Sequence, residues 1–175
     1  MTELRIGTSA FTAAGWEHAF YSAGMKAADY LTYYATKFNT VEVDATFYRT
    51  PSVATVNGWE RKTPTRFSLA AKVPQTITHE KVLQDCDEDV EHFLETMDLM
   101  GDKLGPLLFQ FGYFNKSVFK SGKEFLARLA PFLKKLPSYE SPPLGYESLA
   151  FTASAVAPHS SASVSVRAIP SPAPW

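Results

Sequence analysis

Four times along this chain, a stretch whose apolar residues fall at every second position gives way to one whose apolar residues recur every three to four. The first pattern buries one face of a β-strand, and the second buries one stripe of an α-helix. Strands are predicted over 4–9, 40–46, 67–73 and 106–111. Helices are predicted over 26–38, from an N-cap at Ser52 to a stop before Pro64, over 87–100, and from Ser121 to Leu136. Ser121 and Glu124 make a capping-box pattern, and Pro131 is expected to kink or split the last helix. The repeat of about 34 residues suits a strand–helix–strand unit. Such alternation requires parallel strands joined by crossovers.

Two architectures satisfy that order, an open doubly wound sheet and part of a closed barrel. The strand faces decide between them. One parity is apolar: Val41 and Val43; Phe67, Leu69, Ala71 and Val73; Leu107, Phe109 and Phe111. On these three strands, the second to the fourth, the other parity carries a polar group near the strand's end: Glu42 and Asp44, Lys72, Gln110. A doubly wound sheet meets helices on both faces and is apolar on both. A barrel has helices only outside, and its mouth gathers polar side chains. The predicted class is therefore α/β: a partial TIM-type (β/α) barrel of about four units over 1–138, followed by an irregular C-terminal tail over 139–175.

The segment TVEVDATFYR, 40–49, carries the most chemistry. Its alternation points Glu42 and Asp44 the same way, one pleat apart, with Lys72 facing them from the next strand. Adjacent carboxylates disfavour each other's charge, and an ammonium favours it. That set suits general acid–base work on a sugar or other polyol, or else a structural ion pair filling the barrel. Tyr48 and Arg49 open the following loop. Arg49 either holds a phosphate or carboxylate through its paired donors or clamps Glu42 or Asp44. His79, just past the third strand, is the histidine best placed for proton transfer or metal binding, with helix capping as its plain alternative. Gln110 orients a ligand or is satisfied by a neighbour. Gly7 and Ser9 let the backbone approach another group closely. Trp16, Phe20 and Tyr21 form an aromatic wall or pack in the core. The candidates are thus Glu42, Asp44 and Lys72 for catalysis, and Gly7, Ser9, Tyr48, Arg49, His79 and Gln110 for substrate binding. No metal site is assigned, although Glu42, Asp44 and His79 are donors of a suitable kind.

Composition narrows the rest. Seventeen basic residues against eighteen acidic ones give a formal net charge of −1, which leaves no field to attract nucleic acid or an anionic membrane. The single cysteine, Cys86, excludes an internal disulfide and a multi-cysteine zinc site. The acids around it in QDCDEDVEHF disfavour a thiolate. No run approaches the roughly 20 apolar residues of a membrane helix, and MTELRIGTSAF lacks the basic-then-apolar order of a leader. A cytoplasmic protein is expected. Phosphate-loop, GxSxG, HExxH and dinucleotide motifs are absent, so no cofactor is identified. His18, His92 and His159 lack partners at metal-ligand spacing.

The segments IGTSAF (6–11), YYATKFNTVEVDATFYRTP (33–51), FSLAAKVPQTITHEK (67–81) and LGPLLFQFGYF (104–114), in that order, resemble the YecE-like family, domain of unknown function 72, over residues 4–137. The resemblance implies a TIM-type barrel and no established activity. The chain departs from the family at Ala10 and Phe11, where Gly and then Trp or Tyr are usual, and at Gly112 and Tyr113, where many members have two prolines. Members also continue into a fifth strand with an acid-Phe-Arg motif and three further units. Here residues 139–175 hold 8 Ser, 7 Ala and 6 Pro, with no lysine and only Arg167 as a basic residue. A disordered tail is one reading. The preferred one is a reading-frame shift near codons 137–140, because a barrel takes about 250 residues. Two functional expectations follow. The parent barrel binds or acts on a small polar, sugar-like or phosphorylated, metabolite; or this chain is a non-catalytic fragment whose strand edges invite self-association.

Overall fold

The computed structural model describes residues 5–112 and 116–136, together with the backbone of 149–154 and 163–168. Three strands, β1 (Thr40–Val43), β2 (Ser68–Lys72) and β3 (Leu104–Leu108), form a parallel sheet in the order β1-β2-β3. Between and after them come α1 (Tyr30–Tyr34), α2 (Val53–Lys62), α3 (Asp87–Asp98) and α4 (Gly122–Lys135). Ser52 caps α2 by accepting from the Thr55 N–H at 3.2 Å. Ser121 caps α4 by accepting from the Glu124 N–H, while the Glu124 carboxylate reaches back to the Lys120 N–H at 2.7 Å.

One face of the sheet is dry. Val41, Val43, Leu69, Ala71 and Val73 join Tyr34 of α1, Val56 of α2, Phe93 and Met97 of α3, and Leu129 and Phe132 of α4 in a single buried cluster. All four helices therefore cover the same side. The opposite face, with Thr40, Glu42, Ser68, Ala70 and Lys72, is half-buried. This one-sided covering is what the strand parity predicts. Among the described residues, no helix is long and apolar enough to cross a membrane.

Several elements differ from the sequence reading. The first predicted strand is not a ladder strand over its described residues, 5–9. It runs beside β1 with the Glu42 N–H donating to Thr8 O at 3.0 Å. The Thr8 N–H goes instead to the Tyr34 hydroxyl at 2.8 Å, which in turn donates to Thr40 O at 3.1 Å. A side chain thus stands where a second ladder bond would form. The helix predicted over 26–38 is shorter, a 3-10 turn at Ala27–Asp29 running into α1.

β1 also stops earlier than predicted, because Asp44–Phe47 wind into a 3-10 turn. The buried Thr46 hydroxyl shares its proton between Val43 O at 2.8 Å and Lys72 O at 2.7 Å, tying the turn to the end of β2. Ala45, which shares the parity of Val41 and Val43 in sequence, is consequently exposed rather than on their buried face. β3 begins two residues before the predicted start and ends at Leu108, so Gln110 lies beyond the strand. Its register shifts between the Leu69↔Leu104 and Ala71↔Leu107 pairs. Gly105 sits at that shift, where a Cβ would come 2.5 Å from Ser68 Oγ.

α4 runs unbroken across Pro131 to Lys135, held by Leu129 and Phe132, both buried on either side of the proline. The tail is not wholly irregular. β4 (Leu149–Ser154) and β5 (Ser163–Ala168) pair antiparallel, from Leu149↔Ala168 to Ser154↔Ser163. Proline interrupts the tail elsewhere but not within LAFTAS or SVSVRA, and the latter alternates Ser with Val as a strand does. The rest of 137–175, Leu4 and Tyr113 lie outside the described residues.

Candidate functional site

The pairing of Val43 with Ala71 sets the next residues, Asp44 and Lys72, side by side where β1 and β2 end. Lys72 Nζ lies 2.7 Å from Asp44 Oδ1 and 3.9 Å from Glu42 Oε1. The lysine side chain is 17% exposed, against 34% for Glu42 and 43% for Asp44. Asp44 Oδ1 is shut off from solvent and accepts no hydrogen bond of acceptable geometry, although the ammonium is within ion-pair distance. The short Nζ–O separation is what offsets the loss of water there. The ammonium thus stands between the two carboxylates.

Phe47 extends this cluster. Lys72 Nζ lies 5.8 Å from its ring centroid, and the His79 ring meets it edge-on at 5.1 Å. His79 Nδ1 is 2.8 Å from the Thr78 hydroxyl. Near Nε2 the approach of Gly112 is close enough that a Cβ there would sit 3.0 Å away. Burial lowers the His79 pKa below the ordinary imidazole value, opposed in part by Glu80, so the ring is neutral at neutral pH. The histidine belongs to a π-turn, Thr76–Glu80, rather than a plain loop. Val82, Leu83 and Asp85 follow with φ of 48°, 63° and 47°. Left-handed backbone at a β-branched residue such as Val82 costs on the order of 1–3 kcal/mol. The Leu83 N–H donates to Ile77 O at 2.9 Å and helps hold that conformation.

The structure brings Glu42, Asp44 and Lys72 together, with His79 joined to them through Phe47. Tyr48, 70% exposed, packs edge-on against Phe47 at 5.6 Å. Arg49 is exposed and makes no ion pair among the described residues, so it clamps neither Glu42 nor Asp44. Gln110 is half-buried two residues past β3, and Ser9 is exposed on the first loop. Gly7 does permit a close approach, but to the Thr40 carbonyl, which would be 2.0 Å from a Cβ. Sequence reasoning missed Thr46, Phe47, Thr78 and Gly112. The Thr78–His79 adjacency is visible in the sequence; the packing of Phe47 and Gly112 on His79 has no local signal. Among the described residues, no group of three His, Cys, Asp or Glu side chains is placed to hold a metal ion.

A separate cleft of about 400 Å³ opens on the loop before α1, lined by Thr12, Trp16, Glu17, Tyr21 and Tyr30 among others. It shares no residue with the acid–amine cluster.

Known proteins place these features in a family. UPF0759 protein YecE of Escherichia coli K12 is 36% identical over 72 residues, which are 41% of this chain and 26% of that protein. The crystal structure of a DUF72 family protein from Thermotoga maritima MSB8 is similar with a TM-score of 0.55 and 31% identity, covering 73% of this chain and 51% of that one. A DUF72 family protein from Enterococcus faecalis V583 is similar with a TM-score of 0.52 at 24% identity, covering 79% and 53%. The chain thus spans about half the length of these solved relatives. Residues 5–160, reaching past the compositional boundary at Ser138, match the family described as "Protein of unknown function DUF72", and the chain belongs to that family.

Proposed function

We propose that this chain carries part of the ligand-binding mouth of a TIM-type barrel that binds or acts on a small polar, sugar-like metabolite. The observation that carries this reading is the placement of Lys72 Nζ 2.7 Å from Asp44 and 3.9 Å from Glu42. The cluster lies at the strands' C-terminal ends, on the face that the helices leave uncovered. Barrel enzymes work at that end of their strands. Glu42 is the acid–base candidate, Asp44 and Lys72 set its charge environment, and the neutral His79 ring lies behind Phe47 as a second proton-transfer group. Sugar, polyol and sugar-phosphate panels, screened by thermal shift on this chain and its Glu42→Gln variant, test the reading. A neutral sugar or polyol that stabilises the wild type should lose about tenfold in affinity in the variant. Affinities unchanged by the substitution, for every ligand found, would remove Glu42 from the site.

A second reading, a non-catalytic unit that self-associates, draws on the half-buried polar face of the sheet and on β1 and β3 standing as the outer strands of the three-stranded parallel sheet among the described residues. Size-exclusion chromatography separates the two, because self-association predicts a concentration-dependent dimer or larger species.

A further inference from the structure

Three stretches of chain meet at His79. It follows β2, and its ring lies edge-on to Phe47, in the turn after β1, and beside Gly112, in the segment after β3. Because β2 is the middle strand, the ring stands where the C-terminal ends of all three come together. It is half-buried. A Cβ at residue 112 would lie 3.0 Å from Nε2 and 3.4 Å from Cδ2, so the glycine keeps its own side chain off that edge of the ring.

A neutral imidazole carries one proton, and the partner of one nitrogen decides where it sits. Here Nδ1 faces the hydroxyl of the buried Thr78 at 2.8 Å. That hydroxyl has one hydrogen and two candidate acceptors, Nδ1 and Pro74 O. Pro74 O lies 3.4 Å away, beyond the usual length of an O–H···O bond. It also accepts from the Ile77 N–H at 3.0 Å and the Thr78 N–H at 3.3 Å, which occupy both of its lone pairs. The Thr78 hydrogen therefore goes to Nδ1, and the ring's own proton sits on Nε2. The π-turn fixes the threonine for this, closing on itself where the Lys81 N–H donates to Thr76 O at 2.8 Å. Uptake of a further proton at Nδ1 turns the hydroxyl toward Pro74 O, so the same pair accommodates both charge states of the ring.

We infer that Thr78 is a positioning residue that holds His79 as its Nε2–H tautomer, presenting a neutral hydrogen-bond donor beside Gly112 to an oxygen of a neutral polyol ligand. The inference rests on the reading of the strand ends as a ligand-binding mouth. It adds a donor there to the acceptors Glu42 and Asp44, so that a hydroxyl-bearing ligand is met in both senses. The test is long-range proton–nitrogen correlation NMR of the imidazoles in the full, nitrogen-15-labelled chain, above the histidine titration range. The probe is glycerol, the smallest neutral polyol, and His79→Gln identifies the His79 signals. The wild type should show a protonated Nε2 and an unprotonated Nδ1. Thr78→Ser should keep that pattern, whereas Thr78→Val should release the ring into tautomer exchange, with shifts approaching those of imidazole in water. A ring protonated at Nδ1 in the wild type would overturn the assignment whether or not Thr78→Val folds, as would a Thr78→Val spectrum equal to the wild type's. Glycerol should move the Nε2 signal saturably, and Gly112→Ala should weaken that response by about tenfold with the tautomer unchanged. An undiminished response in Gly112→Ala would take the ligand away from Nε2 and overturn the donor role. If glycerol shifts the Lys72 side-chain signals but not Nε2, the mouth stands and the donor role falls; if it moves neither, both fall.

Discussion

At the scale of single residues, partial burial sets how His79 titrates. Its ring lies edge-on to Phe47, its Nδ1 meets the Thr78 hydroxyl, and Gly112 closes on Nε2. Burial disfavours the imidazolium, so the folded pKa lies below the ordinary value of 6.5. Between that ordinary value and the lowered one, the unfolded chain binds more protons than the folded chain. Stability therefore rises with pH through this window and is lost as the pH falls from about 6.5 toward the folded pKa. Urea midpoints measured from pH 8 to pH 5 should fall more steeply for the wild type than for His79→Gln, which removes this proton linkage. Parallel profiles would mean that the ring is solvated. The other described histidines, His18 and His92, are common to both proteins and cancel in the difference.

At the scale of elements, the approach of residues 5–9 to β1 depends on an absent side chain. A Cβ on Gly7 would lie 2.0 Å from Thr40 O and 2.7 Å from its carbonyl carbon, both backbone atoms that cannot swing aside. Gly7→Ala should push the two segments apart, disturb the Glu42–Thr8 bond, and cost about 2–3 kcal/mol in chemical denaturation. Gly58, inside α2, meets nothing within 4 Å. Gly58→Ala should stabilise by about 0.5–1 kcal/mol, a change of opposite sign that isolates the contact from the chemistry of the substitution. The sequence made much of this level legible. Parity along β1 and β2 placed Val41, Val43, Leu69 and Ala71 in the core and Glu42 and Lys72 opposite, and Ser52 and Ser121 marked true helix starts. What it hid was set by tertiary bonds. The end of β1 is decided by Thr46 bonding across to Lys72 O, and the absence of a ladder in 5–9 by Tyr34 inserting its hydroxyl. Neither partner is near in sequence, so no local pattern announces them. The tail pairing of β4 with β5 escaped for a different reason, since Ser, Ala and Pro composition averages over two short strands.

At the scale of the whole molecule, the question is whether three strands and four helices covering one face form a cooperative unit. Cys86 is a reporter placed for that test. It is 1% exposed and lies in the same buried cluster as the β1 and β2 valines and leucine and the core residues of α3 and α4. Burial, followed by Asp87 and Asp89, raises its pKa, so the native thiol is both covered and protonated. Labelling by an aromatic disulfide then requires opening of the sheet–helix core. If the core opens only by global unfolding with a stability of about 4 kcal/mol or more, labelling in native buffer should be slower than in denaturant by about a thousandfold. The rate should also rise with urea along the same slope as the unfolding transition. A native rate within about tenfold of the unfolded one would mean that the one-sided core does not hold by itself. A slow rate that becomes faster on dilution would mean that a second copy covers the open face, because the buried state would then depend on protein concentration. One thiol, titrated against denaturant and concentration, therefore separates a self-sufficient unit from one completed by its neighbour.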